Sequence, residues 1–142
     1  MSVNNNVDVI NIMEIIERVE NFAREYDLFK AHDKLLIACS GGPDSMALVD
    51  IFQKLSVKYK LEIIVAHAEH GIRKESSLND AWYVKNYCEQ KNIPFFMEHL
   101  NVLEHLKTEK LSVETLARKL RYQFLRKIAK AQNATKIVTA HH

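Results

Sequence analysis

The stretch KLLIACSGGPDS, residues 34–45, decides the fold of this chain of 142 residues. Its first half, Lys34 to Cys39, is short, continuous and apolar, which is the pattern of a strand buried on both faces of a parallel sheet. Its second half holds Gly41 and Gly42, two of only three glycines in the chain, and glycine permits turns that other residues resist. The stretch therefore predicts a central strand that ends in a tight loop.

The rest of the chain alternates between helical and strand patterns, judged from the spacing of its apolar residues. The predicted helices are about 9–29, a segment from Asp44 onward, Leu78–Lys91 with Ser77 as N-cap, and a long helix from the cap Ser112 to about Asn133. The later predicted strands are Leu61–Ala66, Phe95–His99 and Thr135–Ala140, and residues 101–110 are predicted to be irregular. This alternation predicts an α/β fold of three layers, a doubly wound parallel sheet in the order 3-2-1-4 between helices. A ligand crevice is expected above the loop, where the strand order reverses.

Composition excludes several classes of protein. Apolar residues make up 47% of the chain and charged residues 27%, as in ordinary globular proteins. No run of about 18 apolar residues occurs, and the polar start from Ser2 to Asn6 does not resemble a signal peptide. We therefore predict a cytoplasmic protein without a membrane partner. Cys39 and Cys88 lack CxxC spacing, so no disulfide is expected.

The loop after the first strand has the parts of an anion site: backbone N–H groups, the positive end of a helix, and hydroxyls. Gly41 and Gly42 would let the backbone approach phosphate oxygens closely, while Ser40 and Ser45 add hydroxyl donors. Pro43 near the helix start removes an N–H that the turn does not need. These residues predict a phosphate-binding loop.

Asp44 distinguishes this loop from a P-loop of Walker type, which requires a lysine before its Ser or Thr. A carboxylate here suits a Mg²⁺ ion that bridges phosphates. The alternative is a plain turn between strand and helix, with Asp44 as an ordinary helix cap.

The hexapeptide SGGPDS between a buried strand and a helix resembles the pyrophosphatase loop of the N-type ATP pyrophosphatases, or PP-loop family. That resemblance implies an adenine-nucleotide alpha-hydrolase-like fold. It also implies cleavage of ATP between the α and β phosphates to adenylate a substrate. The family includes GMP, NAD and asparagine synthetases and several tRNA-modifying enzymes, and the loop alone does not choose among them.

Three further segments are similar to the lysidine synthetases of this family, namely residues 65–73 (VAHAEHGIR), 112–125 (SVETLARKLRYQFL) and 139–142 (TAHH). All occur in the expected order. Glu69 departs from the pattern, because that family usually carries asparagine there, and an anion would weaken nucleotide or RNA binding nearby. The stop at His142 also departs from it, since the acidic and glutamine residues of the family's Ala-His-His motif and its C-terminal tRNA-binding domains do not follow.

The resemblance implies ATP-dependent ligation of lysine to the C2 position of the wobble cytidine of tRNA(Ile), through an adenylated tRNA and with release of AMP and pyrophosphate. Asp44, Arg118 and His141 are the catalytic candidates, and ATP with Mg²⁺ would bind Ser40, Gly41, Gly42, Pro43, Asp44, Ser45 and His67, with Asp44 as the Mg²⁺ ligand. The partners would be tRNA(Ile) with a CAU anticodon and free lysine, with a homodimer as a possible assembly. Residues 1–142 are then expected to form a single, C-terminally incomplete ATP-binding domain that supplies the nucleotide half of the reaction.

Several of these residues also have plainer interpretations. His67 and His70 form only a weak metal pattern, and a hydrogen-bonded loop histidine is the alternative. Arg118 and Arg121 are neighbours on a helix, and Glu114 is spaced to pair with Arg118, so a salt-bridged surface is possible. Arginine also suits bidentate phosphate binding, and we rank Arg118 above Arg121 for that role.

Three other features have competing explanations. A basic cluster of Lys119, Arg121, Arg126, Lys127 and Lys130 would extend an RNA-binding track or would simply be solvated helix surface. Cys39 would serve sulfur transfer or, as we expect, packing. The terminal histidines would begin a family motif or be the stub of a tag. The runner-up functions are another adenylating enzyme, such as a tRNA thiolase, and a nucleotide-binding module without catalysis.

Overall fold

The computed structural model describes residues 18, 20, 21, 29–70 and 74–139, and the side chains of residues 74–78 lie outside the description. The chain divides into two compact units, Met1–Ala31 and His32–His142, and the elements below belong to the second. Of the leading helix predicted over 9–29, residues 18, 20, 21 and 29 are described; the first three are helical and Phe29 is not. Most of that prediction, with Gly71 and the terminal histidines, lies outside the described residues.

Four parallel strands form the sheet in the predicted order, β3-β2-β1-β4. Their bounds are β1 Lys34–Ala38, β2 Glu62–Glu69, β3 Phe95–His99 and β4 Lys136–Val138. The centre of β1 is buried completely, as the apolar run predicted, because β2 and β4 flank it in the sheet. β2 continues three residues past its predicted end, since Glu69 pairs with His99 at the end of β3.

Four helices are described with these strands, α1 Pro43–Tyr59, α2 Lys74–Lys91, α3 Val102–His105 and α4 Val113–Ala131. The predicted cap of α2 at Ser77 is wrong, because that helix begins at Lys74, and α3 corrects the prediction of irregular structure over 101–110. The predicted cap of α4 is confirmed, since the Ser112 hydroxyl accepts a hydrogen bond from the Thr115 N–H at 3.2 Å. None of the described helices has the length and apolarity to span a membrane.

The core lies on both faces of the sheet because alternate strand residues point to opposite sides. Leu36 and Ile64 pack on one face in a cluster with Phe124 and Leu125 of α4. The neighbouring buried positions of β1 and β2 turn to the other face, where α1 contacts both strands and α2 contacts β2. The layers leave the carboxyl ends of the strands and the loops after them to form a site.

Candidate functional site

The loop after β1 joins the strand to α1 within four residues. Gly42 is the N-cap of α1 with extended backbone (φ −75°, ψ 168°), and Pro43 is the first helical residue. The missing N–H of a proline costs nothing there, because the first N–H groups of a helix have no partner within it. The loop thus directs the positive end of α1 toward the edge of the sheet where the strands end.

Gly41 is the one glycine of this loop that both conformation and space require. Its φ of +93° lies in the left-handed region, and a Cβ atom there would be 3.1 Å from the Cβ of Asp80. Asp80 belongs to α2, so tertiary packing and not local sequence brings it against the loop. Sequence reasoning missed Asp80 for that reason. The contact holds the loop between two helices.

The hydroxyl of Ser45 lies at the centre of the hydrogen bonds of the loop. It lies 3.2 Å from the backbone nitrogens of both Ser40 and Gly41 and 3.1 Å from the Ser40 hydroxyl, and it donates to the Gly42 carbonyl. The Ser40 hydroxyl in turn accepts from the Gly42 N–H at 3.3 Å. Successive backbone N–H groups that converge on one point form a nest of the kind that holds anions. A phosphate oxygen would replace these hydroxyls as acceptor.

A cavity of about 70 Å³ opens beside this nest. Ser40 and Ser45 line it together with His70 at the end of β2, Arg121 of α4 and Thr139 after β4. Its volume is far below the roughly 300–1,000 Å³ of pockets that enclose a whole ligand, so it suits a group of phosphate size. The carboxyl ends of three adjacent strands therefore contribute to one small cavity, whose walls also include the apolar residues Ala38, Ala66, Ala68 and Leu125.

Two polar atoms of the cavity walls lack hydrogen-bond partners within the described part of the chain. They are the Nδ1 of His70 and the Nε of Arg121, both buried. Because a buried polar group without a partner costs about 1–3 kcal/mol, such atoms mark a place where a polar ligand would be stabilising. The guanidinium supplies the fixed positive charge that a phosphate requires.

Burial lowers the pKa of His70, and the positive charge of Arg121 lowers it further, while Glu69 acts in the opposite direction. A histidine with a lowered pKa is neutral at pH 7. The site thus carries the permanent charge of Arg121 beside a neutral imidazole, which keeps the two groups compatible at close range.

The other predicted residues occupy different places. His67 is buried, and its Nδ1 lies 2.7 Å from the Cys39 carbonyl, so it fixes the backbone at the start of the loop and does not line the cavity. Arg118 is exposed, with its guanidinium 5.6 Å from the Tyr122 ring. His141 lies outside the described residues.

Asp44 lies in the first turn of α1 with its side chain exposed. Across the described ranges, no group of three or more His, Cys, Asp or Glu side chains is arranged to hold a metal ion. A single carboxylate beside a phosphate nest nevertheless fits Mg²⁺, which binds through one or two carboxylates and the phosphates of its substrate. Asp44 is therefore the candidate ligand for a Mg²⁺ ion, and that ion would compensate the negative charge of the phosphates.

Comparison with known proteins agrees with this geometry. The family model described as the PP-loop domain matches residues 11–142 of this chain. The chain belongs to the PP-loop family. Curated relatives include the tRNA(Ile)-lysidine synthases of Petrotoga mobilis and Thermosipho africanus, each 38% identical over 131 residues. These matches cover 92% of this chain but 42% and 30% of the two relatives, so the chain spans less than half of their length.

Another relative is the bifunctional protein TilS/HprT of Listeria innocua, which is 36% identical over 126 residues. That match covers 89% of this chain and 19% of the relative. The fold matches the U34-tRNA thiolase of Methanococcus maripaludis at a TM-score of 0.76, over 92% of this chain and 46% of that one. It also matches the NH3-dependent NAD synthetase of Campylobacter jejuni at 0.65, over 88% and 55%. Both structures are 15% identical to this chain and therefore support the fold alone.

Glu69, which departs from the lysidine synthetase pattern, is not exposed to the PP-loop site as a bare anion. It is 5% exposed, and a carboxylate oxygen lies 2.6 Å from the Nδ1 of His99. The two residues are register partners on β2 and β3. The imidazole of His99 hydrogen-bonds this buried carboxylate, whose charge still acts on the neighbouring His70 by raising its pKa.

Both cysteines are buried free thiols, and Cys39 is also among the residues that line the cavity. Burial raises the pKa of Cys39, and it raises that of Cys88 to about 12. The Cys39 sulfur packs 3.4 Å from the sulfur of Met46. Thiols with raised pKa are poor nucleophiles, which supports the packing interpretation of Cys39 over sulfur transfer.

Proposed function

We propose that this chain binds ATP with Mg²⁺ at the PP-loop and forms the nucleotide half of a tRNA(Ile)-lysidine synthetase. The observation that carries the proposal is the cavity in which Ser40, Ser45, His70 and Arg121 surround a space of phosphate size beside converging N–H donors. The similarity to named lysidine synthases over 92% of the chain supports the choice of substrate.

The chain's own groups would act on the pyrophosphate end of ATP. The nest at Ser40 and Gly41 and the guanidinium of Arg121 would bind phosphate oxygens, while Asp44 would hold Mg²⁺ beside them. The C2 oxygen of the wobble cytidine attacks the α phosphorus, the bond between the α and β phosphates breaks, and pyrophosphate leaves. Donors fixed before the reaction stabilise the charge that develops on the leaving group. The amine of lysine then attacks C2 of the activated base and displaces AMP.

The location and partners in this proposal follow from its substrates. A tRNA(Ile) with a CAU anticodon, free lysine and ATP would meet the enzyme in the cytoplasm. The catalytic assignments of Asp44 and His141 belong to the proposal, and Arg121 replaces Arg118 as the arginine at the phosphates because Arg121 lines the cavity.

Calorimetry of ATP·Mg²⁺ binding tests the proposal, with Arg121→Ala and Asp44→Ala as variants and GTP as competitor. Loss of a charged hydrogen bond worth about 1.5–3 kcal/mol predicts binding weaker by roughly 10–100-fold for Arg121→Ala. Arg126→Ala is the matched control, since Arg126 contacts the same tyrosine ring from the exposed side of α4. Equal affinities of Arg121→Ala and Arg126→Ala, or no nucleotide binding by the unaltered chain, would contradict the proposal.

The second candidate is a nucleotide-binding module without turnover, because the described donors at Ser40, Gly41 and Arg121 account for phosphate binding and not for the chemical step. Release of pyrophosphate from ATP in the presence of the tRNA separates the two functions. Release that depends on Asp44 would establish catalysis, whereas binding without release would establish the module.

A further inference from the structure

Helix α4 concentrates positive charge that the chain as a whole does not show. Its 19 residues hold six Lys or Arg and one Glu, in a protein whose formal net charge is only +2. A basic stripe on one helix is the electrostatic footprint of polyanion binding, provided that the cations remain available.

Carboxylates form ion pairs with some of these cations and not with others. Lys119 pairs with Glu109 at 2.6 Å, and Lys127 pairs with Glu98 at 3.3 Å. The ion pair between Glu114 and Arg118 that their spacing predicted is not formed. Among the side chains that the structure describes, no carboxylate lies within ion-pair distance of the exposed residues Arg118 and Arg126; both contact the Tyr122 ring instead.

Arg118, Tyr122 and Arg126 form a row, because residues four apart lie one above another on a helix. The two guanidinium carbons are 5.6 and 5.8 Å from the centre of the ring, and the row extends over about 12 Å at the rise of an α-helix. We call these three residues the arginine–tyrosine row. Cation–π contact restricts the arginines without neutralising them, so their charge remains available to a ligand.

The row is continuous with the PP-loop site. The guanidinium of Arg121 lies 5.1 Å from the centre of the same Tyr122 ring, and Arg121 also lines the cavity beside Ser40 and Ser45. A polyanion seated on the row would therefore reach the place where the proposed adenylation occurs.

We propose that the arginine–tyrosine row binds the backbone and unstacked bases of an RNA strand and guides that strand to the PP-loop; the choice of RNA rests on the proposed function. Phosphates accept bidentate hydrogen bonds from guanidinium groups, and bases stack on guanidinium planes and aromatic rings. An acidic protein segment would use the charge but not the stacking. Tyr122 is partly buried against the core, so the exposed guanidinium planes of Arg118 and Arg126 offer the main stacking surface, and they favour a single-stranded loop of RNA.

Fluorescence anisotropy tests the row with the complete 142-residue chain and a labelled anticodon stem-loop whose loop carries CAU. Arg126→Ala is expected to weaken RNA binding about 3–10-fold and to lower the slope of log K against log salt concentration by about 0.7–1, the loss of one phosphate contact. Arg126→Lys retains the charge but not the planar group, so it should restore the slope and only part of the affinity.

Lys85→Ala is the matched control, because Lys85 is also an exposed cation over an aromatic ring on a helix, 5.0 Å from Trp82 of α2. It should bind RNA like the unaltered chain. The proposal is overturned if Arg126→Ala binds RNA normally, if Lys85→Ala weakens binding equally, or if polyglutamate competes as well as RNA does. ATP titrations of the same samples keep the two proposals apart, since Arg126→Ala should retain ATP affinity and Arg121→Ala should lose it.

Discussion

At the scale of single residues, His70 is the group of the PP-loop site whose protonation is coupled to folding. Its pKa is lowered from 6.5, first by burial and then by Arg121. Below about pH 6.5 the unfolded chain binds a proton that the folded chain does not, so the free energy of unfolding falls as the pH decreases. Above that pH both states carry the neutral imidazole, and this residue contributes no slope.

His70→Gln should remove that part of the pH dependence. Urea unfolding between pH 5 and 7 measures it, and the slope at the acid end should decrease by at most about 1.4 kcal/mol per pH unit, the value for one proton. Equal slopes for the two proteins would show that His70 accepts its proton as readily in the folded chain as in the unfolded one. Saturating pyrophosphate should reduce the difference, because an anion beside the imidazole favours its charged form.

The residues of the loop could be predicted from sequence because their roles are local. Strand, glycines, proline and hydroxyls lie within one short segment, and their order alone specifies a turn into a helix start. The arginine on α4 could not be chosen in this way. Arg118 and Arg121 are about 60° apart around the helix, and which of them turns to the cavity depends on how Phe124 and Leu125 pack.

At the scale of elements, α1 ends at a residue whose type does not predict a helix end. Lys60 is its C-cap and has a left-handed backbone (φ 56°, ψ 44°), a conformation that usually belongs to glycine. Lys60→Gly should raise the free energy of unfolding by about 0.5–1 kcal/mol, because a left-handed residue with a Cβ costs about 1–2 kcal/mol and glycine's extra entropy offsets part of the gain.

Lys58→Gly is the matched change, since Lys58 is exposed in the last turn of the same helix. It should lower the free energy of unfolding by up to about 1 kcal/mol, the cost of glycine within a helix. Denaturant unfolding of both variants checks the pair. Destabilisation by both glycines would mean that the end of α1 is not held in the left-handed conformation in solution.

Element types followed from apolar periodicity, but several boundaries did not, because pairing and packing set them. β2 reaches Glu69 since β3 offers backbone partners up to His99, and no residue before Glu69 signals that extension. The short helix α3 occurs where the sequence is polar and irregular. Its residue Val102 is completely buried in the core cluster, so tertiary packing outweighs the weak local propensity of this segment.

At the scale of the whole molecule, the parallel sheet explains why distant segments build one site. Loops after β1 and β4 and the end of β2 meet at one edge because all four strands point the same way. α4 contributes Arg121 to the cavity, and the contact of Arg121 with Tyr122 connects the cavity to the arginine–tyrosine row. Sequence reasoning predicted the edge, since it follows from strand order, but the shape of the cavity depends on side-chain packing.

The two ends of the nucleotide, its phosphates and its adenosine, are expected to contribute differently to binding. The described donors, the nest at Ser40 and Gly41 and the guanidinium of Arg121, line or adjoin the cavity of about 70 Å³ and would bind the phosphate end. Pyrophosphate with Mg²⁺ should therefore stabilise the folded chain more than AMP does at equal concentration. At 100 times its Kd the gain would be about 2.7 kcal/mol, a shift of several degrees in Tm.

Thermal unfolding followed by circular dichroism measures that shift in Tm. Arg121→Ala should lose most of it, while Arg126→Ala should retain it. A larger shift with AMP than with pyrophosphate would place the main binding energy at the base and sugar, and the phosphate cavity would then be a secondary part of the site.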